Sequence, residues 1–253
     1  MDSDSLDPSI LHVDDYLRYG SLEEPALTHN EKLKEKLLKG VFYETFLKEI
    51  VVKYSVRNVS AFYSVLKFLA LNIGEPIRRT DMEKYCNDLG ASVSGFTIDN
   101  YLSCVVDSTM FRRILRYDIN NGSFVNGGEC YYCSDNGIAN AILDFKNFDE
   151  TALMKNAVFL KLIRKDREIY SARVGSMSVD FLAMTGDKIT CIQVLPADDS
   201  KKPSKFLRPL NKLPEHIDKI LISKYPAKIK SSVKNLSIAD FLLKYDKDDS
   251  LYV

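Results

Sequence analysis

The residues with the clearest chemical potential lie in the run Ser178-Val-Asp-Phe-Leu-Ala-Met-Thr-Gly-Asp-Lys-Ile-Thr-Cys-Ile-Gln-Val-Leu195. The turn residues Gly186-Asp187 split it into two adjacent antiparallel strands, with Asp180 on one and Gln193 on the next. Metal-dependent phosphodiester cleavage wants such a pair, because hard oxygen ligands from neighbouring strands hold Mg²⁺ against the scissile phosphate. A lysine two residues past the second ligand would share its face and orient or deprotonate the attacking water. Here that position is Leu195, and Gln193 offers a neutral carbonyl where a carboxylate is wanted. The plainer reading is that Asp180 is a polar residue at a strand edge and that Gln193 and Leu195 pack.

Other chemistries lack their residues. There is no G-x-x-x-x-G-K-[ST] and no G-x-G-x-x-G opening a helix, so the usual backbone cradle for nucleotide phosphates is missing. Neither G-x-S-x-G nor H-E-x-x-H occurs, and the three histidines, His12, His29 and His216, stand in unrelated settings. Five cysteines, Cys86, Cys104, Cys130, Cys133 and Cys191, form an odd set in apolar surroundings, as expected of reduced, buried thiols. Cys130-Tyr-Tyr-Cys133 is a C-x-x-C on a predicted strand, where residues three apart point to opposite faces, so it reads as two structural cysteines. No metal site and no cofactor are expected, with Mg²⁺ needed only if Asp180 serves a nuclease.

The elements that must position these residues follow from periodicity. The first 30 residues carry seven acids against Arg18, with Pro8 and Pro25, and read as a loosely ordered acidic lead-in. Apolar residues at three- and four-residue intervals predict a helix from Glu31 to Tyr54, with Gly40 the position that could interrupt it. A second helix spans Val59 to Asn72 and stops at Ile73-Gly74-Glu75-Pro76. A short helix, Thr80 to Leu89, and a longer one, from Ser94 or Thr97 to Ser108, complete a helix-turn-helix pattern. The strand Phe111–Asp118, the turns Asn121-Gly122 and Asn126-Gly127, and the strand Glu129–Ser134 add a hairpin, which makes a winged helix. Beyond Phe145 the pattern becomes α/β: a helix over Asp149–Arg164, strands Glu168–Val174, Ser178–Met184 and Lys188–Leu195, a helix Ser204–Lys212, a strand Lys219–Ser223 and a helix Ser237–Tyr245.

At 253 residues, 45% of them hydrophobic, the chain suffices for two modest domains, with a boundary near Asn147. Its 35 Lys+Arg balance 35 Asp+Glu, so attraction to nucleic acid or anionic lipid must come from local patches. No apolar run approaches 18 residues and the N-terminus is acidic where a secretory signal would be basic, so a cytoplasmic protein without membrane partners is expected.

A resemblance sharpens this reading. Asp15-Tyr-Leu-Arg-Tyr-Gly20, Val56-Arg-Asn58, Phe68-Leu-Ala-Leu-Asn-Ile-Gly-Glu-Pro76, Val93-Ser-Gly-Phe-Thr-Ile-Asp-Asn-Tyr-Leu102 and Arg116-Tyr-Asp118 come in order. They are followed by Tyr131-Tyr-Cys-Ser-Asp-Asn-Gly-Ile-Ala-Asn-Ala-Ile142, Val179-Asp-Phe181, Ile192-Gln-Val194, Phe206-Leu-Arg-Pro-Leu210 and Ile238-Ala-Asp-Phe-Leu-Leu243. Together they resemble the C-terminal half of a large prokaryotic family of predicted AAA+ ATPases. The resemblance implies a winged helix followed by a restriction-endonuclease-like domain of the PD-(D/E)XK type, without the N-terminal P-loop module, and makes Met1 to Gly20 similar to the end of its ATPase lid. Family members often carry Glu in the helix that starts the nuclease-like domain, where Lys155 and Lys161 stand here, and many read Glu-Val-Lys where this chain has Gln193-Val-Leu195. Lysines there oppose a bound cation, so the site is expected to be vestigial, with only Asp180 unchanged. Rescue by Lys201, Lys202 or Lys205 is the less favoured variant.

The expected architecture is therefore α+β: an acidic lead-in over 1–30, a helical segment and winged helix-turn-helix domain over 31–146, and a degenerate α/β restriction-endonuclease-like domain over 147–253. The third helix region, Ala91–Met110, holds Asp99 and Asp107 and no Lys or Arg, a poor inventory for lying against phosphates. Ser92, Ser94, Thr97 and Asn100 are the candidates to touch DNA there, flanked by Arg78, Arg79, Arg112, Arg113 and Arg116. The alternative is a protein contact with those arginines paired to acids. A second basic stretch, Lys201–Arg208, reads as a phosphate-facing edge or a solvated loop. The expected function is a non-enzymatic DNA-associated or protein-interaction module with weak DNA binding. The alternatives are a Mg²⁺-dependent nuclease using Asp180 and a subunit docking on a separately encoded P-loop ATPase.

Overall fold

The computed structural model describes residues 8–164, 167–196, 203–225, 229 and 231–244. Lys201 and Lys202 lie outside the described residues, as do the first seven. From Pro8 onward the lead-in is helical, α1 (Pro8–Tyr19) and α2 (Glu23–Leu27), which corrects the expectation of a loosely ordered segment. The acids misled: Leu17 and Tyr19 are buried, so α1 is anchored by its apolar face whatever its charge.

The chain forms two compact units. The first comprises 15–113 and 127–149. Its α3 (Glu31–Glu44) is capped by Asn30, whose side chain accepts from the Leu33 amide, and it runs through Gly40 without a break. A π-helical stretch, Thr45–Val52, continues it. The helices α4 (Val59–Leu71), α5 (Arg79–Asp88) and α6 (Gly95–Asp107) follow as their periodicity predicts. Asn58 and Ser94 cap α4 and α6 through the amides three residues on. Phe42, Phe46, Phe62 and Tyr101 form the aromatic core of this unit, with Phe46 and Phe62 stacked at 5.8 Å. Beyond α4 the chain pairs with the strand β2 (Ser123–Cys133), Gly74 N to Tyr131 O at 3.1 Å and Ile77 N to Glu129 O at 3.0 Å. The helix α7 (Asn136–Ile142), which periodicity did not announce, closes the unit.

The second unit comprises 1–14, 114–126 and 150–253. Its sheet includes β1 (Phe111–Asp118), the start of β2, β3 (Glu168–Val174), β4 (Met177–Thr185), β5 (Lys188–Val194), β6 (Asp218–Ser223) and β7 (Lys234–Ser237). The order is β2-β1-β3-β4-β5-β6-β7. β3, β4 and β5 are antiparallel neighbours, whereas β1/β3, β5/β6 and β6/β7 are parallel, so the fold is mixed α/β. The helices are α8 (Glu150–Leu162), α9 (Ser204–Asn211) and α10 (Ile238–Lys244). On one face Ala172, Val179, Leu182, Cys191, Leu195 and Leu221 pack with Leu207, Leu210 and Leu213 of α9 and its C-terminal end.

Candidate functional site

Asp180 and Gln193 meet as their strand placement predicts. Tyr170 pairs with Leu182 but Ala172 with Val179, so β4 spends one residue more than β3 between these points. The resulting bulge at Asp180–Phe181 re-aims the Asp180 side chain toward the next strand. Its Oδ2 accepts from Gln193 Nε2 at 2.7 Å and from the Val194 amide at 2.8 Å. Its Oδ1 lies 3.0 Å from Nζ of Lys155, which α8 delivers from its buried face. Both side chains of this ion pair are about nine-tenths buried.

This donor set does not fit a Mg²⁺ ion. A hard dication needs several oxygen ligands. Here both oxygens of the single carboxylate are engaged by N–H donors, one of them an ammonium. The amide of Gln193 turns its nitrogen to Asp180, and its buried Oε1 meets no hydrogen-bond donor among the described residues. Among the described residues no group of three His, Cys, Asp or Glu is arranged to hold a metal. Leu195, at the position where catalysis wants lysine, is fully buried in the apolar core. Lys161 sits partly exposed in the last turn of α8.

The candidate DNA contacts are dispersed. Ser94 Oγ accepts from the Thr97 amide at 3.3 Å and lies 3.1 Å from the Thr97 hydroxyl, so both residues serve the helix cap. Arg79 bonds Asp99 of α6 at 2.7 Å, so this cation is already paired. Asn100 is exposed, and so are Arg78 and Arg112. Arg113 lines a groove of about 350 Å³ with Asp99, Leu102, Ser103, Val106 and Asp107. It also bonds the Tyr131 hydroxyl, which burial nonetheless pushes up to about 12. Arg116 donates to Ser178 Oγ at 2.8 Å. The outer side of α6 thus presents Phe96, Asp99, Asn100, Ser103 and Asp107, and its carboxylates would face any phosphate laid there.

Two segments noted for resemblance alone prove to be one structural lock. The Asp135 carboxylate caps α7 through the amides of Gly137, at 2.7 Å, and Ile138, at 3.2 Å. Its other oxygen accepts from the Ser21 amide at 2.7 Å. Asn140 Nδ2 donates to the Arg18 carbonyl at 2.7 Å. Gly137 permits this approach, since a Cβ there would lie 2.2 Å from the Tyr19 carbonyl oxygen. The D-N-G triplet and the R-Y-G triplet are both turn-like signals, but nothing in their spacing says that they pair.

This lock lies inside residues 10–149, more than half of the chain, which match a family described as a domain of unknown function, DUF8612. The chain belongs to the DUF8612 family. Outside that segment the family description covers none of β3 to β7, α9 or α10. An uncharacterized protein of Haemophilus influenzae is 26% identical over 180 residues, which is 71% of this chain and 45% of that protein. The uncharacterized protein MJ1544 of Methanocaldococcus jannaschii is 24% identical over 191 residues, covering 72% of this chain and 41% of the relative. The chain therefore spans less than half the length of these curated relatives. No solved structure matches.

Proposed function

We propose that this DUF8612 chain is a non-catalytic, nucleic-acid-associated module in which a nuclease-like scaffold has exchanged its metal site for an internal ion pair. On this reading α4–α6 and the β1/β2 hairpin are a winged helix, and the unit built on β3–β7 is a restriction-endonuclease-like domain. The observation that carries the reading is the Lys155 ammonium 3.0 Å from Asp180, with Gln193 and the Val194 amide on the second oxygen. A positive charge fixed where a dication would bind opposes that dication, and a buried leucine in place of a lysine leaves no base for water.

The experiment is incubation of supercoiled and single-stranded DNA with the full chain in Mg²⁺ and in Mn²⁺. Expected are intact DNA and no heat of Mn²⁺ binding by calorimetry, alongside weak DNA association at low salt. Cleavage that disappears in Asp180→Ala would overturn the non-catalytic part. No association with any nucleic acid at low salt would overturn the rest.

A further inference from the structure

The basic run that the ion-pair site does not use takes a definite place in the second unit. α9 buries Leu207 and Leu210 in the sheet core and turns Lys205, Arg208 and, at its C-cap, Lys212 outward. Spacings of three and four residues put these cations on one side of the helix. No acid stands between Ser204 and Leu213. Phe206 packs on the same core, and Lys205 Nζ lies 5.5 Å from its ring centroid.

That core also carries an aromatic cluster. Tyr117 of β1 and Tyr170 of β3 pack against it, stacked at 6.2 Å. Phe124 of β2 stands edge-on to both, at 5.4 and 5.1 Å, and remains 53% exposed. Two tyrosines therefore brace a ring whose outer part is open to solvent. The acid bonded into the cluster is Glu168, which accepts from the Tyr170 hydroxyl at 3.3 Å.

From this juxtaposition we infer that the α9 and Phe124 face binds single-stranded nucleic acid, phosphates on Lys205, Arg208 and Lys212 and a base on Phe124. The inference rests on the nucleic-acid reading above and moves its surface from the acidic helix α6 to α9. A row of cations without interspersed acid suits a ligand with regularly repeated negative charge. A braced aromatic ring suits an unpaired base, because in a duplex the base faces are already stacked.

The test is fluorescence anisotropy of the full chain with a labelled oligo-dT of about 20 nucleotides, oligo-U of the same length, a duplex, and phosphatidylserine vesicles. Expected is a preference for the single strands over the duplex, with a log–log salt slope near about −2 for three phosphate contacts. The triple variant Lys205→Glu/Arg208→Glu/Lys212→Glu should weaken oligo-dT by at least about tenfold, and the exposed Phe124→Ala should weaken it about fivefold or more. Arg78→Glu/Arg112→Glu should leave it within about twofold. Similar binding of oligo-dT and oligo-U supports a general single-strand site, and a strong preference for either assigns the nucleic acid. Unchanged binding in the triple variant, with loss in the Arg78/Arg112 variant, overturns this surface and leaves nucleic-acid association standing. No binding to any nucleic acid removes both, and binding to vesicles alone overturns the inference in favour of lipid.

Discussion

Asp180 is held by three donors, one of them the Lys155 ammonium, so a buried ion pair lies at the centre of this site. Removing one partner of a buried ion pair leaves an uncompensated charge, so Lys155→Met should cost about 3 kcal/mol in urea denaturation. Lys155→Met/Asp180→Asn, which leaves neither charge, should recover most of that loss. An additive or larger loss in the double variant would mean that the lysine stem, not its charge, carries the stability. The pairing of Asp180 with Gln193 was legible in the sequence because a turn at Gly186 fixes two adjacent strands. Lys155 entered only by resemblance, since nothing in the local pattern of α8, buried on most sides, singles out one lysine. The thiols follow their apolar surroundings. Cys86, Cys130, Cys133 and Cys191 are buried, and burial pushes Cys133 and Cys191 up to about 12. At pH 8 a disulfide reagent such as DTNB should titrate at most the partly exposed Cys104 in the native protein and all five cysteines after unfolding.

At the scale of elements, the turn after β1 is built on one carboxylate. Asp118 is buried, accepts from the Asn120 and Asn121 amides and from the Asn121 side chain, and pairs with Arg173 of β3. The hydrogen bonds from Arg173 hold its carboxyl below the ordinary value of 3.8. A depressed folded value stabilises the protein above the ordinary carboxylate range, and that contribution is lost as pH falls through the lower folded value. Asp118→Asn should therefore be less stable at pH 5 and lose less between pH 5 and pH 3 than the parent. Asp240, also depressed by Lys244, contributes equally to both proteins, so the difference between their urea midpoints reads Asp118. Identical pH slopes would exclude Asp118 from the acid response. The Asp135 lock makes a second claim. Gly137→Ala forces a Cβ against a backbone carbonyl and should cost about 2 kcal/mol, whereas Gly40→Ala, with no atom of the described residues within 4 Å on an exposed helix face, should stabilise by about 0.5–1 kcal/mol. The long amphipathic helices and the α/β alternation were legible because one apolar face repeats along each. α7 and β7 were not: the four residues of β7 are too few to show a period, and α7, buried on every side, shows no apolar face and is held by long-range contacts such as Asp135 to Ser21.

For the whole molecule, charge counted along the sequence proved a poor guide to order, and contact across the sequence a better one. The acidic lead-in is helical where it packs, and the hairpin strand β1 pairs in parallel with β3, Arg116 opposite Ser171 and Asp118 opposite Arg173. Sequence patterns mark where an element starts and stops, but not which sheet a hairpin joins, because that depends on the partner strand more than 50 residues later. The consequence is testable by truncation. A fragment of residues 147–253 keeps β3 to β7 but loses the 114–126 segment that completes its compact unit. Its β3 then has an unpaired edge, Arg173 loses Asp118, and Tyr170 loses Tyr117 and Phe124. An exposed edge flanked by uncovered aromatic rings is prone to pairing with other copies. The fragment should bind the dye ANS, lack near-ultraviolet circular dichroism and aggregate on concentration, while the full chain does none of these. A fragment that unfolds cooperatively and keeps its near-ultraviolet signal would show instead that α8–α10 and β3–β7 suffice as a folding unit.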